Sequence, residues 1–87
     1  MSFRVVWRRR AKQQLANVWL NAADRAEVTA AAYRMENGLR RDPLGMSESR
    51  GGNFRMVFDG PLAILYEVDA PANRVRVISV GPAGPRP

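Results

Sequence analysis

"RGGNFRMVFDGPLAILYEVD", residues 50–69, decides the fold of this chain. Two apolar, alternating runs flank Asp59-Gly60-Pro61, so the stretch reads as strands over 54–58 and 62–68 joined by a tight turn. Downstream, "DAPAN" (69–73) is a second turn signal, and "RVRVISV" alternates as a third strand over 74–80. Upstream, "LGMSESRGGN" (44–53) is a polar, glycine-bearing loop. Before it, Val28, Ala31, Ala32, Met35 and Leu39 recur at three and four, the stripe of a helix ending near Arg41 and stopped by Pro43. Asp24 is placed to cap that helix, with Glu27 at its third position. Ala11, Leu15, Val18, Trp19 and Ala22 form the stripe of an earlier helix over 10–22, with Trp19 read as core. "FRVVW" (3–7) is a short opening strand.

The order is therefore strand, helix, helix, then a three-strand meander. This is an α+β domain, with a helical hairpin packed on one face of a mostly antiparallel sheet. Eighty-seven residues hold one core, assigned to residues 1–80. The Pro/Gly-rich 81–87 reads as a flexible tail.

Leu62, Ile64, Tyr66 and Val68 are expected under the helices, and with them the bulky set Phe54, Met56 and Phe58. A hairpin at "DAPAN" sets Asp69 beside Arg74 and Glu67 beside Arg76, the latter as a cross-strand ion pair. Continued without a break, that register sets Ile78 beside Leu65 and Val80 beside Ala63. The face away from the helices is then Arg55, Val57, Ala63, Leu65, Glu67, Arg76, Ile78 and Val80. An apolar, cation-edged patch on so small a chain points to a partner, unless the first strand or the tail folds back over it.

Composition narrows the chemistry. The hydrophobic fraction of 46% is that of a folded globule rather than a disordered chain. No cysteine and no histidine exclude thiol and imidazole catalysis, disulfides and ordinary zinc sites, so no cofactor or metal is expected. No apolar run is long enough for a membrane span, the opening stretch is too short for a secretory signal, and the cytosol is the expected compartment. Fourteen basic against eight acidic residues give a net charge of +6, which draws nucleic acid or an acidic protein. Thirteen of the fourteen cations are arginine, suited to bidentate capture of phosphate or carboxylate.

The segments "VVWRRRAKQQL", "LRRDPLG", "FRMVFDGPLAILYEVD" and "VISVG", in this order and spacing, resemble the RelE/ParE superfamily of bacterial toxins from two-gene toxin–antitoxin modules. The resemblance spans about residues 3–81 and implies the same strand–helix–helix–three-strand architecture. Its ribonuclease members cut mRNA on the ribosome without a metal, the ribose 2′-hydroxyl attacking the adjacent phosphate. Such a site needs a base, an acid and cations around the phosphorane. Carried over, the resemblance sets Arg55 at a family basic position. Other basic positions fall on Val57, Ala63, Pro82 and Ala83, and the terminal aromatic acid has no counterpart. Glu48 stands nearest the family's glutamate base, with Arg50 beside it. The implied function is a toxin with a reduced nuclease site, neutralised by an acidic antitoxin on the open face. On this reading Arg8, Arg9, Arg10, Lys12, Arg74 and Arg76 attract the partner, while Val57, Ala63, Leu65, Ile78 and Val80 supply buried area. Two alternatives stay open: an mRNA endoribonuclease built from Arg50, Arg55, Arg74 and Arg76, and a member without toxicity. For a toxic chain, the resemblance also implies a gyrase-directed target, as in the branch of the family that likewise lacks the nuclease residues.

Overall fold

The tight turn at Gly60-Pro61 sets the geometry of the sheet. In the computed structural model, which describes residues 2–83, β3 (Phe54–Asp59) and β4 (Leu62–Asp69) pair antiparallel across it, Asp59 opposite Leu62 and Val57 opposite Ile64. Gly60 has φ +54, and a Cβ there would lie 3.2 Å from the Glu27 carboxylate, so both conformation and space favour glycine. The second turn is held by Asp69, whose Oδ1 accepts from the Ala72 amide at 3.3 Å, and by Asn73 at φ 51. It leads into β5 (Arg74–Pro82), with Glu67 opposite Arg76 and Asp69 opposite Arg74 as the sequence predicts. β1 (Arg4–Trp7) lies parallel on the outer edge of β5, and a two-residue β2 (Glu48–Ser49) pairs with β3 on the other side. The sheet order is β1-β5-β4-β3-β2.

Two helices cover one face. α1 (Arg9–Asn21) starts without a side-chain cap and carries no acid in its first turn. α2 (Arg25–Arg41) is capped by Asp24, whose Oδ1 accepts from the Glu27 amide at 3.1 Å, and has Arg40 and Arg41 at its carbonyl end, favourable for the helix dipole. Val28, Ala31, Met35 and Leu39 are buried against Leu62, Ile64, Tyr66, Val68, Val75 and Val77. A bidentate Arg34–Asp59 pair, 2.9 Å at both oxygens, ties α2 to the end of β3. That hydrogen bond to Asp59 raises the Arg34 pKa.

Four expectations are corrected. First, β3 is inverted: Arg55 and Val57 face the helices, while Phe54, Met56 and Phe58 face away. Cross-strand partners share a face, and the two-residue turn sets Val57 beside Ile64 whatever the bulk of its neighbours. Second, β5 carries a bulge. Tyr66 pairs with Val77 but Leu65 pairs with Ser79, leaving Ile78 as the extra residue. The break turns Val80 inward, opposite Ile64 and buried, rather than beside Ala63. Gln14 of α1 accepts the Val80 amide at 2.8 Å, just past the end of β1. Third, Trp19 is not core: it is 38% exposed, donates to Thr29 Oγ1 at 3.2 Å and lies under the Arg25 guanidinium, 4.7 Å from the ring centre. Fourth, β5 continues through Pro82, and the Ala83 amide bonds to the Pro61 carbonyl at 2.8 Å. The remainder of the expected tail, 84–87, lies outside the described residues.

Candidate functional site: the open face of the sheet

Strand alternation and the bulge together compose the face opposite the helices. From β3 it receives Phe54, Met56 and Phe58; from β4, Ala63, Leu65 and Glu67; from β5, Arg74, Arg76 and Ile78; and from β1, Arg4 and Val6. Three large apolar side chains there stay well exposed: Phe54 at 41%, Phe58 at 38% and Val6 at 37%. Among the described residues both helices lie on the other side.

Charge divides this face. The β3–β4 half is apolar and aromatic apart from Glu67 and Asp69 of β4, which stand opposite Arg76 and Arg74. On the β1–β5 half, Arg4 and Arg74 are Cα partners, so two exposed cations stand about 5 Å apart at the backbone. Arg76 is neutralised by Glu67 at 2.8 Å, both side chains being about one-third exposed or less. Arg8, Arg9, Arg10 and Lys12 are exposed beyond the end of β1, at the start of α1.

The residues singled out for catalysis are not brought together. Glu48 and Arg50 form an exposed ion pair of 3.2 Å at the outer edge of the sheet. Glu48 pairs with Met56, whereas Ser49 pairs with Arg55, which sets Glu48 and Arg55 on opposite faces. Arg55 is half-buried and committed: its Nε donates to Ser47 Oγ at 2.8 Å and its Nη2 to the Ser47 carbonyl at 3.0 Å. The Tyr66 hydroxyl bonds the same Ser47 hydroxyl and the Pro43 carbonyl, and burial raises its pKa. This cluster fastens the loop after α2 to the sheet. Among the described residues no group of acids has the makings of a metal site, and no helix is long and apolar enough to cross a membrane.

Of the binding set, Ala63, Leu65, Ile78, Arg74 and Arg76 are on the open face, and Val57 and Val80 are core. Phe54, Met56, Phe58 and Val6 take their place. The length of the "DGP" turn was the signal for β3, because it fixes which residue faces Ile64.

Solved structures share this architecture. The toxin–antitoxin complex RelBE2 from Mycobacterium tuberculosis contains a chain that matches at TM-score 0.78 and 16% identity, over 94% of this chain and 99% of its own length. The archaeal RelE–RelB complex from Pyrococcus horikoshii matches at 0.71 and 14% identity, over 99% and 100%. The isolated RelE toxin of E. coli matches at 0.68 and 17%, over 97% and 87%. This is the RelE/ParE toxin fold. A chain of the ParDE system from Pseudomonas aeruginosa, at 0.67 and 11% identity, shares it too. No family model and no curated protein matches the sequence. The RelE/ParE fold is thus shared at identities of 11–17%.

Proposed function

We propose that the chain is the toxin of a type II toxin–antitoxin module, with the open sheet face as the place where an acidic antitoxin segment docks. One observation carries this reading: a contiguous apolar surface, Phe54, Met56, Phe58 and Leu65, on the same face as Arg4 and Arg74, a cross-strand pair of cations with one acid, Asp69, opposite Arg74. Water against that surface is released when aliphatic groups of a partner cover it, and carboxylates of the partner then meet the arginine edge. Relatives of the same fold include chains whose structures are described as toxin–antitoxin complexes, which supports the same pairing here.

The nuclease component of this reading is a reduced one. Arg55 is the basic family position that is kept, and its guanidinium is occupied by Ser47. Val57, Ala63, Pro82 and Ala83 carry no charge where the resemblance sets cations. Losing one oxyanion donor typically costs 10²–10³ in rate, so a site missing several retains little cleavage. Glu48 with Arg50 is what a ribosome-dependent cleavage would have to use.

Expression of the chain alone, then together with an acidic reading frame adjoining its gene, is the test. Growth arrest without codon-phased mRNA ends, relieved by the adjoining product, is the expected result. The two proteins should co-purify, and the double variant Phe54→Asp/Phe58→Asp should not retain its partner. Ribosome-phased ends abolished by Arg55→Ala would replace this reading with the endoribonuclease. A chain that neither arrests growth nor binds the adjoining product would remove the toxin assignment.

A further inference from the structure

We infer that Met46 is a reversible oxidation site, at which peroxide converts the thioether to a sulfoxide and so releases the loop after α2 from the sheet. The site stands on its own observations and does not depend on what docks on the open face.

The chain holds no cysteine, so methionine sulfur is its readiest target for peroxide. Aromatic rings, even Trp19 and Tyr33 (38% and 67% exposed along the groove between α1 and α2), offer peroxide no comparable nucleophile. Met35 is sealed in the core at 0% exposure, whereas Met46 and Met56 are half-buried. These two stand in different surroundings. Met56 is on the open face, between Glu48 and Leu65 of the neighbouring strands, where a sulfoxide oxygen points into water. Met46 packs against the core from the loop between α2 and β2. Its end lies in a notch of α2, since a Cβ added at Gly38 would be 2.7 Å from Met46 Cε and 2.8 Å from Sδ. Glycine disfavours a helix interior relative to alanine, and here it makes room for the thioether. Met46 also lines a surface cavity of about 340 Å3, with Ser47, Glu48, Met56 and Val57, and through it peroxide reaches the sulfur.

The chemistry balances with peroxide alone. A sulfur lone pair attacks one peroxide oxygen, the O–O bond breaks, and the departing hydroxide takes up a proton and leaves as water. Sulfur gives up two electrons and peroxide accepts them. The product is a polar group where an apolar one was packed, and its oxygen meets helix backbone whose amides are already bonded within α2. The side chain must then leave the notch.

What this releases follows from the order of residues, because Ser47 comes next. Its hydroxyl and carbonyl accept from Arg55 at 2.8 and 3.0 Å, and the hydroxyl also meets Tyr66. Beyond Ser47 the loop is held to β3 by the two residue pairs of β2. As Met46 moves out it draws Ser47 away, Arg55 loses both contacts, and the edge of β3 is left unpaired. Enzymatic reduction of the sulfoxide restores the thioether and lets the loop reseat.

The test treats the whole chain with millimolar hydrogen peroxide. Met35, Met46 and Met56 fall in separate tryptic peptides, so each sulfoxide is counted by mass spectrometry. Two readouts follow the folded chain: amide hydrogen exchange over residues 45–50, and modification of Arg55 by phenylglyoxal. We expect Met46 to oxidise at least about tenfold faster than Met35, in keeping with its access to solvent. Exchange and Arg55 modification should then rise about tenfold as the loop opens, and fall back after treatment with methionine sulfoxide reductases for both epimers. Met46→Leu, close in volume, should abolish the response, and Met56→Leu should keep it. Met46→Gln, which sets a polar group in the notch without peroxide, should be open from the start. The inference is overturned if Met46 resists peroxide as Met35 does, or if its oxidation leaves both readouts within about twofold of the untreated chain. It is equally overturned if Met46→Leu responds as the natural chain does. The reductase arm needs no substitution, so it decides the matter even where a variant does not fold.

Discussion

Tyr66 shows how much one side chain can hold in a domain this small. Its ring is fully buried in the sheet, and its hydroxyl bonds the Pro43 carbonyl and the Ser47 hydroxyl, which Arg55 also engages. Tyr66→Phe leaves the Pro43 carbonyl with only the 3.2 Å bond from Ser47 and should cost about 1–2 kcal/mol in urea unfolding. The same phenol sets an alkaline limit. Burial raises its pKa in the folded state above the ordinary 10.0, so the folded chain holds a proton that the unfolded chain gives up first. Its contribution is complete below about pH 10 and is lost as pH rises through the folded value. Denaturation midpoints measured from pH 8 upward should fall more steeply in the natural chain than in Tyr66→Phe; parallel curves would exclude this role. Interactions made by near neighbours were legible at this scale. Asp24 capping Glu27 and Glu67 opposite Arg76 follow from spacing and one hairpin. Arg55 was not legible, because its partner Ser47 lies eight residues away in a loop with no pattern of its own.

Apart from β2, elements were predicted with their order and nearly their limits, yet the face of β3 came out reversed and that of β5 changed past Ile78, and the reason is physical. Hydrophobic alternation states that a strand has two faces but not which is inward when both are apolar, as in β3. The turn decides, since two residues at Gly60-Pro61 fix Val57 beside Ile64. This yields a contrast that bulk alone would predict backwards. Val57→Asp buries an unpaired carboxylate and should cost about 3 kcal/mol or more, whereas Phe54→Asp, at an exposed position, should stay within about 1 kcal/mol. Equal losses in denaturant titrations would contradict the register. The bulge at Ile78 had no signal in "VISVG", because an extra residue in one strand depends on what the other strand and α1 require. Gln14, which takes the Val80 amide, is part of that requirement and reads in sequence as an ordinary surface residue. The open face survived these errors because inverting β3 exchanged one apolar set for a larger one.

The whole molecule carries two opposing long-range terms. A charge of +6 repels copies of itself, while a face bearing Phe54, Phe58, Met56 and Leu65 attracts them over short distances. Which term wins depends on salt. At about 0.05 M ionic strength the screening length exceeds 10 Å, comparable with the separation of charged edges on approaching molecules; at 1 M it is about 3 Å, and repulsion is confined to contact. The apolar attraction does not weaken with salt. The isolated chain should therefore sediment as a monomer at low salt and associate reversibly at 1 M sodium chloride. Phe54→Ser/Phe58→Ser should hold it monomeric in both, because the charge is unchanged and the adhesive surface is reduced. Association that persists in this variant would locate the sticky surface elsewhere, the α1–α2 groove first, and Tyr33→Ser would then be the variant that reverses it. If sedimentation does not depend on salt in either protein, the aromatic residues of β3 are covered in solution, and the open face loses its standing as a docking surface.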